Sequence, residues 1–316
     1  MLSRVAESLY WLGRNVERAE TIARVLDVNY TRAMDLYAQR DAERLWRSVM
    51  HSVGFLDEPA ISSGPGSKAA AEAIAHCALD PDNPCSIVSS VRIARSNGLG
   101  MRAELTTEVW QLINVLYLYV EGVTLRGVMR EGPSKFLHYV RDSALAFSGV
   151  TDATLTHGDG WGFLQVGRFL ERAYMTSRFL VALDVEHEPW RESQRLLEMC
   201  CADVPFAQAS RHVPEPRDAL EFIILSADFP RALRFCTRAV DAATHRLSRT
   251  GECSYTNAAE RRLGRLRSLF DFTSIDEVLA GGIAVFSAGV VGEFENLSHE
   301  VEDAYFPRHP VAALVT

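Results

Sequence analysis

Eight charged residues, four in each of two segments, have the types and spacing to do chemistry together. Arg14, Glu17, Arg18 and Arg24 lie in residues 13–26, GRNVERAETIARVL. Arg168, Glu171, Arg172 and Arg178 lie in residues 167–180, GRFLERAYMTSRFL. One fixed offset superimposes all four pairs, and it also carries Gly13, Ala19 and Leu26 onto Gly167, Ala173 and Leu180. Steps of three, four and seven residues place the charges of each segment along one helix face. Guanidinium groups suit bidentate recognition of carboxylate or phosphate. A repeated Arg-Glu-Arg face therefore predicts a duplicated unit, with the helices around Glu17 and Glu171 as symmetry-related neighbours. Three roles stay open at this point. The faces could be solvated and laced with weak ion pairs. They could be a buried network that fixes how two halves dock. They could line a polar pocket for a carboxylate or phosphate, with Glu17 or Glu171 as a base.

A second set of polar residues lies between the repeats. Arg95, Asn97, Arg102, Glu108 and Asn114 recur at near-helical spacing beside Trp110 and Tyr117. They read either as helix caps and interhelical hydrogen bonds or as contributors to the same polar site. Standard catalytic signatures are missing. There is no G-x-S-x-G elbow, no H-E-x-x-H and no Glu-x-x-His of a di-iron bundle, and Gly64-Pro65-Gly66-Ser67-Lys68 only superficially resembles a phosphate loop. No metal or cofactor is expected.

Composition narrows the class. The formal net charge is −8, which argues against a general nucleic-acid or acidic-membrane surface. The Arg-rich stretch from Arg261 to Arg267 reads as a solvated helix face. The uncharged run between Glu277 and Glu293 is shorter than the roughly 20 apolar residues a spanning helix needs. The six cysteines, Cys77, Cys85, Cys200, Cys201, Cys236 and Cys253, form no C-x-x-C pair, so buried free thiols in a reducing cytoplasm are expected.

The apolar letters must position the charges. Val5, Leu9, Leu12, Val16, Ala19, Ala23 and Leu26 form one helical stripe; Phe163, Val166, Leu170, Ala173, Ser177 and Leu180 form another. Gly13 and Gly167 fall inside these helices, where glycine costs roughly 1 kcal/mol relative to alanine. A close helix crossing would explain both. Periodicity predicts helices over about 3 to the late thirties, 40–53, 67–79, 85–97, 100–130 and 134–148. In the second half it predicts 160–184, 188–202, 216–227, 230–248, 256–270 and 275–304. Val204 to Asp218, with three prolines, reads as an extended connection. No run alternates with period two. The fold class is therefore all-α: a multi-helix bundle in one domain spanning 1–316, with related halves of about 1–150 and 151–316 sharing a core.

The opening Met1-Leu2-Ser3-Arg4-Val5-Ala6-Glu7-Ser8-Leu9-Tyr10-Trp11-Leu12-Gly13-Arg14, running into Val16-Glu17-Arg18-Ala19-Glu20, resembles the bacterial alpha-E family. So does Phe169-Leu170-Glu171-Arg172-Ala173, as the family's second Glu-Arg motif. Ala94-Arg95-Ser96-Asn97, the segment Glu108 to Asn114, Phe229 to Cys236 and the stretch Thr273 to Phe306 extend the likeness over most of the chain. Two positions depart from the pattern. Leu99 stands where another arginine is usual, and Tyr174 stands where the first copy has Glu20. The resemblance implies a setting: a circularly permuted ATP-grasp protein as partner, with a transglutaminase-like or proteasome-like peptidase as further associates. It implies a part in ATP-dependent amide ligation or peptide tagging. The family supplies no catalytic residue, so an accessory or binding protein is expected, with an amide-processing enzyme or a scaffold as alternatives.

Overall fold

The structure, a computed structural model, describes residues 3–34, 39–53, 66–184, 187–210, 213–251 and 254–307. Among these there are fifteen α-helices, one short π-helix and no strand. The first half contains α1 (Ser3–Met34), α2 (Gln39–Val53), α3 (Gly66–Ile74), α4 (Ile87–Gly100), α5 (Thr107–Glu121), α6 (Leu125–Glu131) and α7 (Pro133–Thr154). The second contains α8 (Asp159–Val181), α9 (Pro189–Met199), α10 (Asp203–Ala209), α11 (Pro216–Leu225), α12 (Leu233–Ser248), α13 (Ala258–Phe272), α14 (Ile275–Gly281) and α15 (Ile283–Tyr305). The π-helix, Ala75–Leu79, follows α3 directly.

The two predicted stripes belong to α1 and α8, the central helices. Both are buried on nearly every side over their middle turns, from Leu12 to Leu26 and from Gly162 to Leu180. That is why small residues interrupt their apolar faces: neighbours approach from several directions. α1 packs against α4, α7 and α8, and α8 packs against α1, α12 and α15. Outward from these, α5 packs on α4 and α7, while α13 packs on α12 and α15. The short α6 and α14 lead into α7 and α15 through Gly132 and Gly282, with φ of 91° and 86° and ψ of 123° and 122°. Only glycine adopts that conformation without strain. The packing order of the first half thus recurs in the second, and buried apolar residues of both halves form one continuous core.

The structure corrects three elements. The expected helix over 100–130 is two helices, because Thr106 and Thr124 cap new N-termini by accepting from the backbone N–H of Val109 and Gly127. The expected helix over 275–304 is also two, broken at Gly282. The proline-containing connection carries α10, with Pro205 in its first turn, and Pro216 opens α11. Proline is tolerated there because those N–H groups have no helical partner. No single helix among the described residues is long and apolar enough to cross a membrane.

Candidate functional site

The site begins with the two glycines. Where α1 crosses α8, a Cβ on Gly13 would collide with the carbonyl oxygen of Leu164 and lie 3.2 Å from the Arg168 nitrogen. A Cβ on Gly167 would collide with the carbonyl oxygen of Tyr10 and lie 3.2 Å from the Arg14 nitrogen. Tyr10 and Leu164 are equivalent under the same offset that pairs the glycines. The contact is therefore reciprocal, as in a twofold interface. Glycine is required here by space, since two backbones touch.

That approach brings each Glu-Arg motif onto the other. Glu171 accepts from Arg14 Nε at 2.7 Å, and from Arg18 Nε at 2.6 Å and Arg18 Nη2 at 3.1 Å. Glu17 accepts from Arg172 Nε at 2.5 Å and Nη2 at 2.8 Å, and Arg168 Nε lies 3.9 Å away. The pairs exchange partners across the crossing. Arg14 also donates to Tyr10 Oη at 3.0 Å and to Ser298 Oγ of α15. Arg172 donates to the Pro230 carbonyl at 3.2 Å.

Burial and charge act against each other here. Glu17 and Glu171 are buried, and burial alone would raise a carboxyl pKa. The charges of Arg172, Arg231 and Arg168 outweigh it and hold Glu17 at about 2. Arg18 and Arg14 likewise hold Glu171 below the usual carboxylate range. The Arg168 pKa is lowered as well, by burial and by the neighbouring Arg172. Both carboxylates stay ionised at neutral pH with their oxygens committed to guanidinium groups. That chemistry clamps two helices and commits both carboxylates to it.

Residues 1–306 match the family Alpha-E, described as a predicted alpha-helical domain with a conserved ER motif. The chain belongs to the Alpha-E family. Uncharacterized proteins of Mycobacterium bovis and of two Mycobacterium tuberculosis strains are similar to it, each 25% identical over 248 residues. The aligned region is 73% of this chain and 28% of each relative, so the chain spans little more than a quarter of their length. No solved structure matches.

In this Alpha-E chain the remaining expected site residues divide. Arg24 is buried, pairs with Glu20 and donates to Cys201 Sγ. Burial and the charge of Arg231 lower its pKa to about 10. Arg178 has no acid at the position of Glu20. It donates instead to the Ser52 carbonyl at 2.9 Å, the His51 carbonyl at 2.5 Å and Tyr174 Oη at 3.5 Å. Arg95 and Asn97 stand apart from the clamp. Arg95 donates to Asn114 Oδ1 at 3.0 Å and lies 4.4 Å from the Tyr117 ring centre, while Asn97 donates to the Ile93 carbonyl. Arg95 serves the α4–α5 contact, and the Asn97 bond stays within α4.

The sequence reading missed Arg231, whose Nη2 reaches Glu20 at 2.9 Å and Nη1 lies 3.6 Å from Glu17. It stands two residues before α12, and Cys85 stands two residues before α4. Because the repeat replaces an arginine with a cysteine, comparing the two halves gives no signal for it. The thiols also differ from expectation. Cys77, Cys200 and Cys236 are buried, and burial pushes each up to about 12. Cys85 is only half-buried and Cys201 is exposed. Cys253 lies outside the described residues. Along the Arg-rich stretch, Arg261 and Arg265 are solvated, but Arg262 and Arg267 pair with Glu293, Glu300 and Asp241.

Proposed function

We propose that this chain is a non-catalytic accessory or binding module of a bacterial, cytoplasmic ATP-grasp-linked amide-ligation or peptide-tagging system. The observation that carries the non-catalytic part is the state of the repeated carboxylates. Glu17 and Glu171 are each saturated by guanidinium donors and held ionised, whereas a general base poised for catalysis needs a raised pKa and a free oxygen. The Arg–Glu centre organises the fold, and the half-buried Arg168 at its rim is the group offered to a partner. The recurrence of packing order around α1 and α8 supports descent from one duplicated helical unit. The relatives are in keeping with the accessory reading, because in them this region is a minor part of a longer polypeptide. The partner follows from the family resemblance: a circularly permuted ATP-grasp protein.

The test is affinity capture from the native host with the parent chain and with Arg168→Ala. An ATP-grasp protein should co-purify with the parent and be depleted with the variant, while the melting temperature stays close to the parent's. Capture of no ATP-grasp protein would remove the partner assignment. Amide hydrolysis by the purified chain, abolished by Glu17→Gln without loss of fold, would replace this reading with an enzyme.

A further inference from the structure

Away from the Arg–Glu centre, α2 and the start of α9 enclose an open cleft of about 570 Å³. That volume falls in the range of small-ligand sites, about 300–1,000 Å³. Its walls carry five arginines and four carboxylates, and most of these charges neutralise one another in place. Arg44 pairs with Asp184 at 2.6 Å, Arg191 with Glu188 at 2.9 Å and Arg195 with Glu192 at 3.0 Å. Arg32 is held by Glu198 outside the cleft.

Three lining groups are left over. Arg47, His51 and Asp41 make no side-chain hydrogen bond or ion pair with any described residue. Arg47 and His51 are four residues apart, so they share a helix face and present two cationic or hydrogen-bonding groups together. Asp41 lies six residues before Arg47, about 9 Å along the helix axis at 1.5 Å per residue. Arg195 is only 4% exposed and donates to Ser48 Oγ at 2.7 Å, yet its Nε has no hydrogen-bond partner. Burial lowers its pKa, opposed by the charge of Glu192.

We propose that this cleft binds a short peptide with free termini, its α-carboxylate on Arg47 and His51 and its α-ammonium on Asp41. The offset of about 9 Å along the helix axis between the Asp41 and Arg47 backbone positions matches a two- or three-residue peptide, since an extended chain advances about 3.3–3.6 Å per residue. Inorganic phosphate would use only the cationic end. The ion pairs already closed along the walls leave the peptide's middle to contact Leu45, Ser48 and Ala182. This inference stands on the cleft and survives even if no ATP-grasp partner is found.

The test uses the full chain, isotope-labelled for the His51 ring and arginine side chains. It is titrated with trialanine, with Ala-Glu-Ala, with the N-acetylated and C-amidated forms of each, and with inorganic phosphate. Saturable binding of a free tripeptide with His51 shifts is expected. C-amidation and Arg47→Gln should each weaken it about tenfold or more, as loss of a charge-assisted contact does. Asp41→Asn should weaken the free peptide and leave the N-acetylated one unchanged. Arg47 and Asp41 are exposed, so these variants keep the fold, and the solvated Arg265→Gln serves as control. No saturable binding of either tripeptide would overturn the proposal. So would binding indifferent to Arg47→Gln, and phosphate binding without peptide binding would replace it with a simple anion site.

Discussion

At the scale of single residues, Glu171 is held wholly by the opposite helix. It is buried on α8, and its two carboxylate oxygens accept three hydrogen bonds from arginines that all reside on α1. Removing it strands Arg14 and Arg18 without a counter-charge. Breaking a buried pair in this way costs about 3–5 kcal/mol. Glu171→Ala should therefore unfold in denaturant at far lower concentration than the parent, and an effect below about 1 kcal/mol would show that the clamp is not structural. Glu17 predicts a pH dependence with a definite sign. Its pKa is depressed from the ordinary 4.5 to about 2, so its stabilisation is complete above 4.5 and is lost as pH falls toward 2. The parent should lose stability across that interval, by roughly 3 kcal/mol if Glu17 acts alone. Glu17→Gln should be less stable at pH 7 and converge with the parent in acid. A parent–variant difference that stays constant from pH 6 to pH 2 would contradict the assigned ion pair. The Glu-Arg exchange was readable from sequence, because identical letters recur in register and like faces of a crossing must meet. Tyr10 and Ser298 as further partners of Arg14 were not readable, since no local pattern links residues so far apart in the chain.

At the scale of elements, the crossing of α1 and α8 sets everything else. Alanine is ordinarily the better helix former by roughly 1 kcal/mol. At Gly167 that gain is overwhelmed, because the added methyl would overlap the Tyr10 carbonyl, and backbone cannot rotate away as a side chain can. Gly13→Ala and Gly167→Ala should each be strongly destabilising. Gly149→Ala, on α7 with open space around it, should be neutral or slightly stabilising. Comparable melting of all three variants would mean that the helices have room to separate. The glycines were legible as a crossing because they interrupt two otherwise helical patterns at one shared place. The helix breaks at Thr106 and Thr124 were not, for a physical reason. Threonine caps an N-terminus only when the preceding chain leaves the helix, and apolar periodicity runs through both positions. Gly282 shows the complementary limit: glycine marks freedom to turn, and only the backbone reveals φ of 86°.

At the scale of the whole molecule, the two halves depend on each other for charge neutrality as well as for packing. Arg14 and Arg18 belong to the first half and Glu171 to the second; Glu17 belongs to the first and Arg172 and Arg231 to the second. Six guanidinium groups, on Arg14, Arg18, Arg24, Arg168, Arg172 and Arg231, meet three buried carboxylates, on Glu17, Glu20 and Glu171, across one interface. Separating the halves would expose the inner faces of α1 and α8 and leave each with an unbalanced set of charges. Folding of either alone should fail for both reasons. Residues 1–157 and 158–316 expressed separately should lack cooperative unfolding, while the two fragments together should assemble and regain helicity, with a midpoint that rises with concentration. Adding Glu171→Ala to the second fragment should weaken that assembly by more than it weakens the intact chain, because no covalent link then holds the crossing together. If either fragment alone unfolds cooperatively, the halves are independent domains joined by a clamp, and the shared core is a consequence of docking instead of its cause.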